Sequence, residues 1–166
     1  ENGFKEIYFG TSMYKSKHYI ANASVLITDK NHYTKTKKKL IMFNEYLPKI
    51  ISNVSNKKTF NPSAQDSSER IINDLGILPI ICYEAFFSYY VMQENKNAKI
   101  IYLISSEKFF NNSFWGSKQY NNILKLRCIE NQIPLIKSSN NGSSLVINSK
   151  GIVLFKANNE FNVFRN

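Results

Sequence analysis

Residues 76–84 read Gly-Ile-Leu-Pro-Ile-Ile-Cys-Tyr-Glu, an apolar strand pattern that runs straight into Cys82. A helix-like stretch follows. A thiol at a strand end, with a turn and a helix start just after it, is placed where a nucleophile can be exposed and electrostatically supported. A second block, residues 37–48, reads Lys-Lys-Lys-Leu-Ile-Met-Phe-Asn-Glu-Tyr-Leu-Pro. It offers Lys37 as an ammonium and Glu45 as a carboxylate. An ammonium near an attacked carbonyl stabilises the oxyanion of a tetrahedral intermediate. Glu45 and Glu84 are suited to orienting that lysine or moving protons. Each residue also has a plain structural reading. Cys82 would then be a small buried hydrophobe at a strand end. Lys37 would belong to a solvated run with Lys35, Lys38 and Lys39, Glu45 would be a surface charge, and Glu84 would face a helix N-terminus.

The elements that position these blocks are legible from periodicity. Residues 5–11 and 19–28 read as strands, joined to a hairpin partner by the Asp29-Lys30-Asn31 turn signal. Residues 52–68 are polar and aperiodic, which predicts a long surface loop, and residues 69–73 read as a short strand. A core strand is expected over 76–82, a helix over 83–94 and a buried strand over 98–105. Residues 111–132 carry a helical period through Ile123, Leu124, Leu126 and Ile129, with Ser113 or Ser117 as cap. Strands follow at 134–138, 144–148 and 152–156, broken by Asn140-Asn141-Gly142 and Ser149-Lys150-Gly151. Strands alternating with helices, plus hairpins, indicate a layered α/β or α+β domain spanning 1–166.

Composition narrows the partners. The chain has 166 residues, 43% of them hydrophobic, and a net charge of +10. That is enough for one domain with a real core. Only Arg70, Arg127 and Arg165 of the 22 basic residues are arginine. Arginine is the usual choice for bidentate nucleic-acid contacts, so no nucleic-acid partner is expected. No stretch approaches the roughly 20 apolar residues that span a bilayer. The two cysteines, Cys82 and Cys128, are expected as free thiols. His18 and His32 lack metal-ligand spacing, so no metal is expected.

In this order, the blocks resemble the nitrilase, or carbon–nitrogen hydrolase, superfamily. Within it they are most similar to the extramembrane domain of bacterial apolipoprotein N-acyltransferases. The carrying residues are the lysine block at 37–48, Ile81-Cys82-Tyr83-Glu84, and Ala21-Asn22-Ala23-Ser24-Val25. They continue in Arg127-Cys128-Ile129-Glu130 and the Lys137-Ser138-Ser139-Asn140-Asn141-Gly142 turn. The resemblance implies a four-layer α-β-β-α sandwich with Cys82 as nucleophile and Lys37 as oxyanion-stabilising lysine. Glu45 would be a supporting active-site carboxylate. Tyr83 and Glu84 would wall the nucleophile, and Asn22 would support the site. The implied reaction passes a fatty acyl chain from a membrane phospholipid to Cys82, then to the N-terminal amine of an apolipoprotein, on the periplasmic side of a bacterial inner membrane, and it needs no cofactor.

Departures from the family pattern shape further expectations. The family's Trp-Pro-Glu block, which carries its general base, has no counterpart here. The chain is therefore expected to be a domain truncated at both ends, anchored to the membrane through segments outside it. Ser105-Ser106-Glu107-Lys108-Phe109-Phe110 stands where the family has Ser-Asn-Asp-x-Trp-Phe, which puts that loop's geometry in question. Phe109-Phe110 and Phe114-Trp115 are expected to form an acyl-facing surface, with core packing as the alternative for Trp115. Two other functions compete: a soluble nitrilase-type amidase using the same thiol, and an inactive remnant or binding module.

Overall fold

The computed structural model describes residues 6–14, 19–41, 44–45, 59–60, 67–110 and 113–157. Two sheets face each other. The first contains β1 (Glu6–Tyr14), β2 (Tyr19–Thr28) and β3 (His32–Thr36), antiparallel in chain order, with the short β4 (Thr59–Phe60) parallel to β2. The second runs β5 (Ile77–Ile81), β6 (Ile100–Ser106), β7 (Leu135–Asn140), β8 (Ser144–Ile147), β9 (Val153–Ala157). Its first three strands are parallel and its last two antiparallel. Helices α1 (Ser68–Leu75), α2 (Ser88–Glu94) and α3 (Phe114–Asn131) connect them.

Side-chain alternation explains the layering. On β6, Ile101 and Leu103 point away from the first sheet into a core with Leu124, Cys128, Tyr90 and Val91 of the helices. Ile100 and Tyr102 point the other way, onto Leu26, Tyr33, Ile71 and Ile77. β5 stands at one end of its sheet, yet every one of its residues is buried, because a parallel strand is covered on both faces. Burying each such Leu or Ile contributes about 1.5–3 kcal/mol. On the outer face of the first sheet, the cross-strand pair Ile7 and Ile27 stays exposed, as does Phe9.

Four local expectations are corrected. Residues 69–73 form no strand: they lie in α1, where Ile71 and Ile72 are buried side by side and Gly76 ends the helix in a left-handed conformation (φ 69°). The expected loop at 52–68 contains β4 and, at Ser68, the start of α1; most of the rest lies outside the described residues. The helix expected over 83–94 is two pieces, a 3-10 turn at Cys82–Phe86 and then α2. Phe87, extended at φ −94° and ψ 91°, separates them. α3 begins where its cap predicts, with the Ser113 hydroxyl accepting from the Gly116 amide. Its buried face differs from the expected one, being Tyr120, Leu124, Arg127 and Cys128, while Leu126 and Ile129 are about half exposed.

Candidate active site

β5 ends at the nucleophile candidate. Cys82 has φ 46°, in the left-handed region, which costs a residue bearing a Cβ about 1–2 kcal/mol. Neighbours hold it there. The Glu84 carboxylate accepts from the Ile81 amide at 2.9 Å, and the Tyr120 hydroxyl donates to the Cys82 carbonyl at 3.0 Å. The tight turn leaves the thiol half-buried, 3.9 Å from the Ser106 carbonyl. Cys128, by contrast, sits in the core, and burial pushes its thiol up to about 12. Both thiols are free.

β3 delivers the lysine. Inward positions alternate along it as Tyr33 and Lys35, and Lys37 continues the period just beyond the strand. The Lys37 amide donates to the Asn22 carbonyl at 2.8 Å. Its ammonium donates to both Glu45 oxygens, at 2.6 and 2.7 Å. Asn22 on β2 donates to Oε1 of Glu45 at 2.6 Å, and the Ile41 amide donates to Oε2 at 2.7 Å. Both members of the pair are buried, so Glu45 is not the surface charge of the plain reading.

Cys82, Lys37, Glu45 and Asn22 all line one cavity of about 1110 Å³. Ile41, Ile104 and Phe109 supply apolar wall, and Ser106, Lys108 and Ser138 polar wall. Glu45 is the one carboxylate among the described residues that line it.

The other expected site residues stand elsewhere. Glu84 is fully buried and does not line the cavity. Its oxygens accept from the Lys38 amide at 2.7 Å, the Tyr90 hydroxyl at 3.1 Å and the Ile81 amide, and Lys35 is its ion-pair partner at 3.2 Å. Tyr83 packs against Phe86 and Phe87 rather than into the cavity. Phe114 and Trp115 are 69% and 72% exposed, so Trp115 is not core, and neither lines the cavity. Phe109 is exposed at its rim, whereas Phe110 turns inward onto the core.

Lys35, expected in solvent, is completely buried, whereas Lys38 stays part-exposed and pairs with Glu94 at 3.1 Å. A third buried pair, Lys137 with Glu107, was not anticipated. Lys137 also donates to Asn121 at 2.8 Å, and the Ser139 hydroxyl to Glu107 at 3.2 Å. So the 105–110 segment retains a buried carboxylate despite its departure from the family pattern. Burial lowers Lys137 from its ordinary range, and burial raises Tyr120 well above its own. The sequence signal for both missed lysines was present: each stands at an inward position of a strand.

The sequence model of the carbon–nitrogen hydrolase family matches residues 6–162. The chain belongs to the carbon–nitrogen hydrolase family. Among curated relatives, an apolipoprotein N-acyltransferase of Rickettsia typhi is 36% identical over 89 residues, 53% of this chain and 18% of that protein. One from Rickettsia prowazekii is 30% identical over 137 residues, 76% of this chain and 26% of that protein. The chain thus spans about a fifth to a quarter of the length of these relatives. Among solved structures, an amidase of the nitrilase superfamily from Nesterenkonia AN1 superposes with a TM-score of 0.65 at 14% identity, over 92% of this chain and 57% of that one. A carbon–nitrogen hydrolase from Helicobacter pylori superposes with a TM-score of 0.63 at 16% identity, over 92% and 58%. These likenesses establish the α/β nitrilase-type fold.

Proposed function

We propose that this chain is the acyl-transferring part of an apolipoprotein N-acyltransferase, with Cys82 as nucleophile. The observation that carries the reading is the meeting of Cys82, Lys37, Glu45 and Asn22 at one cavity, from blocks that lie far apart in sequence. The names of the relatives supply the substrate class.

In the first step, the Cys82 sulfur attacks the ester carbonyl of a phospholipid acyl chain. The Lys37 ammonium, held by Glu45, stabilises the oxyanion. The C–O bond breaks, the thiol's proton goes to the departing lysophospholipid alcohol, and a thioester remains. In the second step, the α-amine of a lipoprotein's N-terminal cysteine attacks the thioester. An amide forms, and the amine's proton returns the sulfur to a thiol. Division into two such steps is ordinary covalent catalysis.

Exposed aromatic residues support a lipid donor. Phe109, Phe114 and Trp115 are exposed, and Lys118 lies 5.8 Å and 5.2 Å from the last two rings. Aromatics interleaved with lysine suit an anionic membrane interface. No helix among the described residues is long and apolar enough to cross a membrane. Attachment to the inner membrane, with this domain on its periplasmic side, completes the reading.

The test is incubation of the full-length protein with phosphatidylethanolamine vesicles, followed by mass analysis of the Cys82 peptide. A hydroxylamine-labile acyl mass that moves to a diacylglyceryl peptide is expected. Hydrolysis of small amides with no acyl mass would establish the amidase reading instead. An unreactive Cys82 would leave the remnant.

A further inference from the structure

Lys35 and Glu84 form a fully buried ion pair that the reaction does not use directly. Its connections are specific. Lys35 lies on β3, two residues before Lys37. Its ammonium donates to the Pro79 carbonyl of β5 at 2.6 Å and to the Tyr90 hydroxyl at 3.1 Å. Glu84 spends one oxygen on the Lys38 amide and the other on the Ile81 amide. Lys38 adjoins Lys37, and Ile81 adjoins Cys82. Lys37 and Cys82 are therefore each the chain neighbour of a residue whose amide is bound by the same carboxylate.

β3 and β5 belong to different sheets. A main-chain ladder sets register within a sheet, but nothing of that kind sets it between two facing sheets. Side chains must do so. A buried ion pair is a weak source of stability, because desolvation offsets much of its attraction. What this one supplies is direction and distance between two strands that share no ladder. We propose that Lys35 is a positioning residue that acts through Glu84 to set Lys37 against Cys82. The inference rests on the proposed placing of Lys37 beside Cys82 at one cavity, where its ammonium supplies, besides oxyanion stabilisation, the positive field that favours the reacting thiolate.

The experiment is the rate of iodoacetamide alkylation at Cys82, mapped by peptide mass at neutral pH in the full-length protein. The variants are Lys35→Met, Lys37→Met and the two combined. Lys96→Met, from the exposed Lys96–Glu69 pair, serves as control and should react like the parent. Lys37→Met is expected to slow alkylation about tenfold or more, since the reacting thiolate loses its neighbouring positive charge. Lys35→Met is expected to slow it comparably, and the double variant no more than Lys37→Met alone, because both act through one ammonium. A parent-like rate in Lys35→Met overturns the proposal. So does a double variant whose loss is the product of the two single losses, which marks a merely structural role. An unchanged rate in Lys37→Met alone overturns the reading of Lys37, and this proposal with it. If Lys35→Met does not fold, the neutral pair Lys35→Met/Glu84→Gln takes its place, with folding checked by circular dichroism. A folded neutral pair that alkylates at the parent rate overturns the proposal equally.

Discussion

Glu45 grips Lys37, eight positions earlier in the chain, with both carboxylate oxygens, at 2.6 and 2.7 Å. The loop closes on itself as well, because the Ile41 amide donates to Glu45 and the Glu45 amide donates back to the Ile41 carbonyl at 2.8 Å. The lysine is therefore held by a preorganised clamp. Glu45→Ala should leave a buried ammonium unpaired and destabilise the protein by about 3–5 kcal/mol. Glu45→Gln, which keeps one acceptor, should cost less stability and still lower acyl transfer by at least about 100-fold. Denaturant melts beside single-turnover assays check this; parent-like transfer in Glu45→Gln would remove Glu45 from the site.

Cys82 and Cys128 should separate cleanly in a labelling experiment. Cys82 is half-buried at the cavity, whereas Cys128 is in the core with its thiol pushed up to about 12. Thiolate is the reacting form. Native alkylation at neutral pH is expected to label Cys82 alone, with Cys128 labelled only after denaturation. Cys82→Ser should abolish both the label and the acyl intermediate.

Tyr120→Phe removes the hydroxyl that donates to the Cys82 carbonyl while keeping the ring, which stacks on Phe86 at 5.3 Å. A stability loss of about 1 kcal/mol is expected from the lost hydrogen bond. The left-handed turn at Cys82 loses a restraint, so acyl transfer should fall by more than the stability loss alone explains. A melt and a rate measured on the same preparation decide it.

Gly142 is expected to tolerate no side chain. A Cβ there would collide with the Glu107 carboxylate, which is buried and paired with Lys137. Gly142→Ala should destabilise by about 1–3 kcal/mol through overpacking, with a larger loss if the ion pair is pulled apart. A melting curve equal to the parent's would contradict the packing described.

Stability should fall on the alkaline side. Burial raises Cys128 from its ordinary value near 9 to about 12, and raises Tyr8 and Tyr120 above theirs. A raised value in the fold means that the unfolded chain loses its proton first. Each group's contribution is thus complete below its unfolded value and is lost as pH rises towards its folded one. For Cys128 the slope is about 1.4 kcal/mol per pH unit between those limits. Lys137 works in the opposite sense: lowered by burial, it favours the fold more as pH approaches the ordinary lysine value. Urea titrations of the parent and of Cys128→Ala across that range should show a shallower decline in the variant.

The sequence by itself determined most of the elements and the identity of the reactive blocks. Strand alternation and the Ser113 cap are local signals, complete within a few residues. The Cys82 and Lys37 blocks carry enough ordered identity to show their family. Local signals misled where tertiary partners decide. Residues 69–73 became a helix because Ile71 and Ile72 could both reach buried positions. The helix expected over 83–94 broke at Phe87. The lysine run looked solvated because charge in sequence reads as surface. Its inward members are buried only because Glu45 and Glu84 wait for them. Glu84 meets the Lys38 amide across 46 residues, and Lys35 meets Pro79 across 44. Pairing of that kind depends on how two sheets face each other. No periodicity along the chain encodes it, so only the tertiary structure could decide which charges enter the site, which support it from behind and which stay in water.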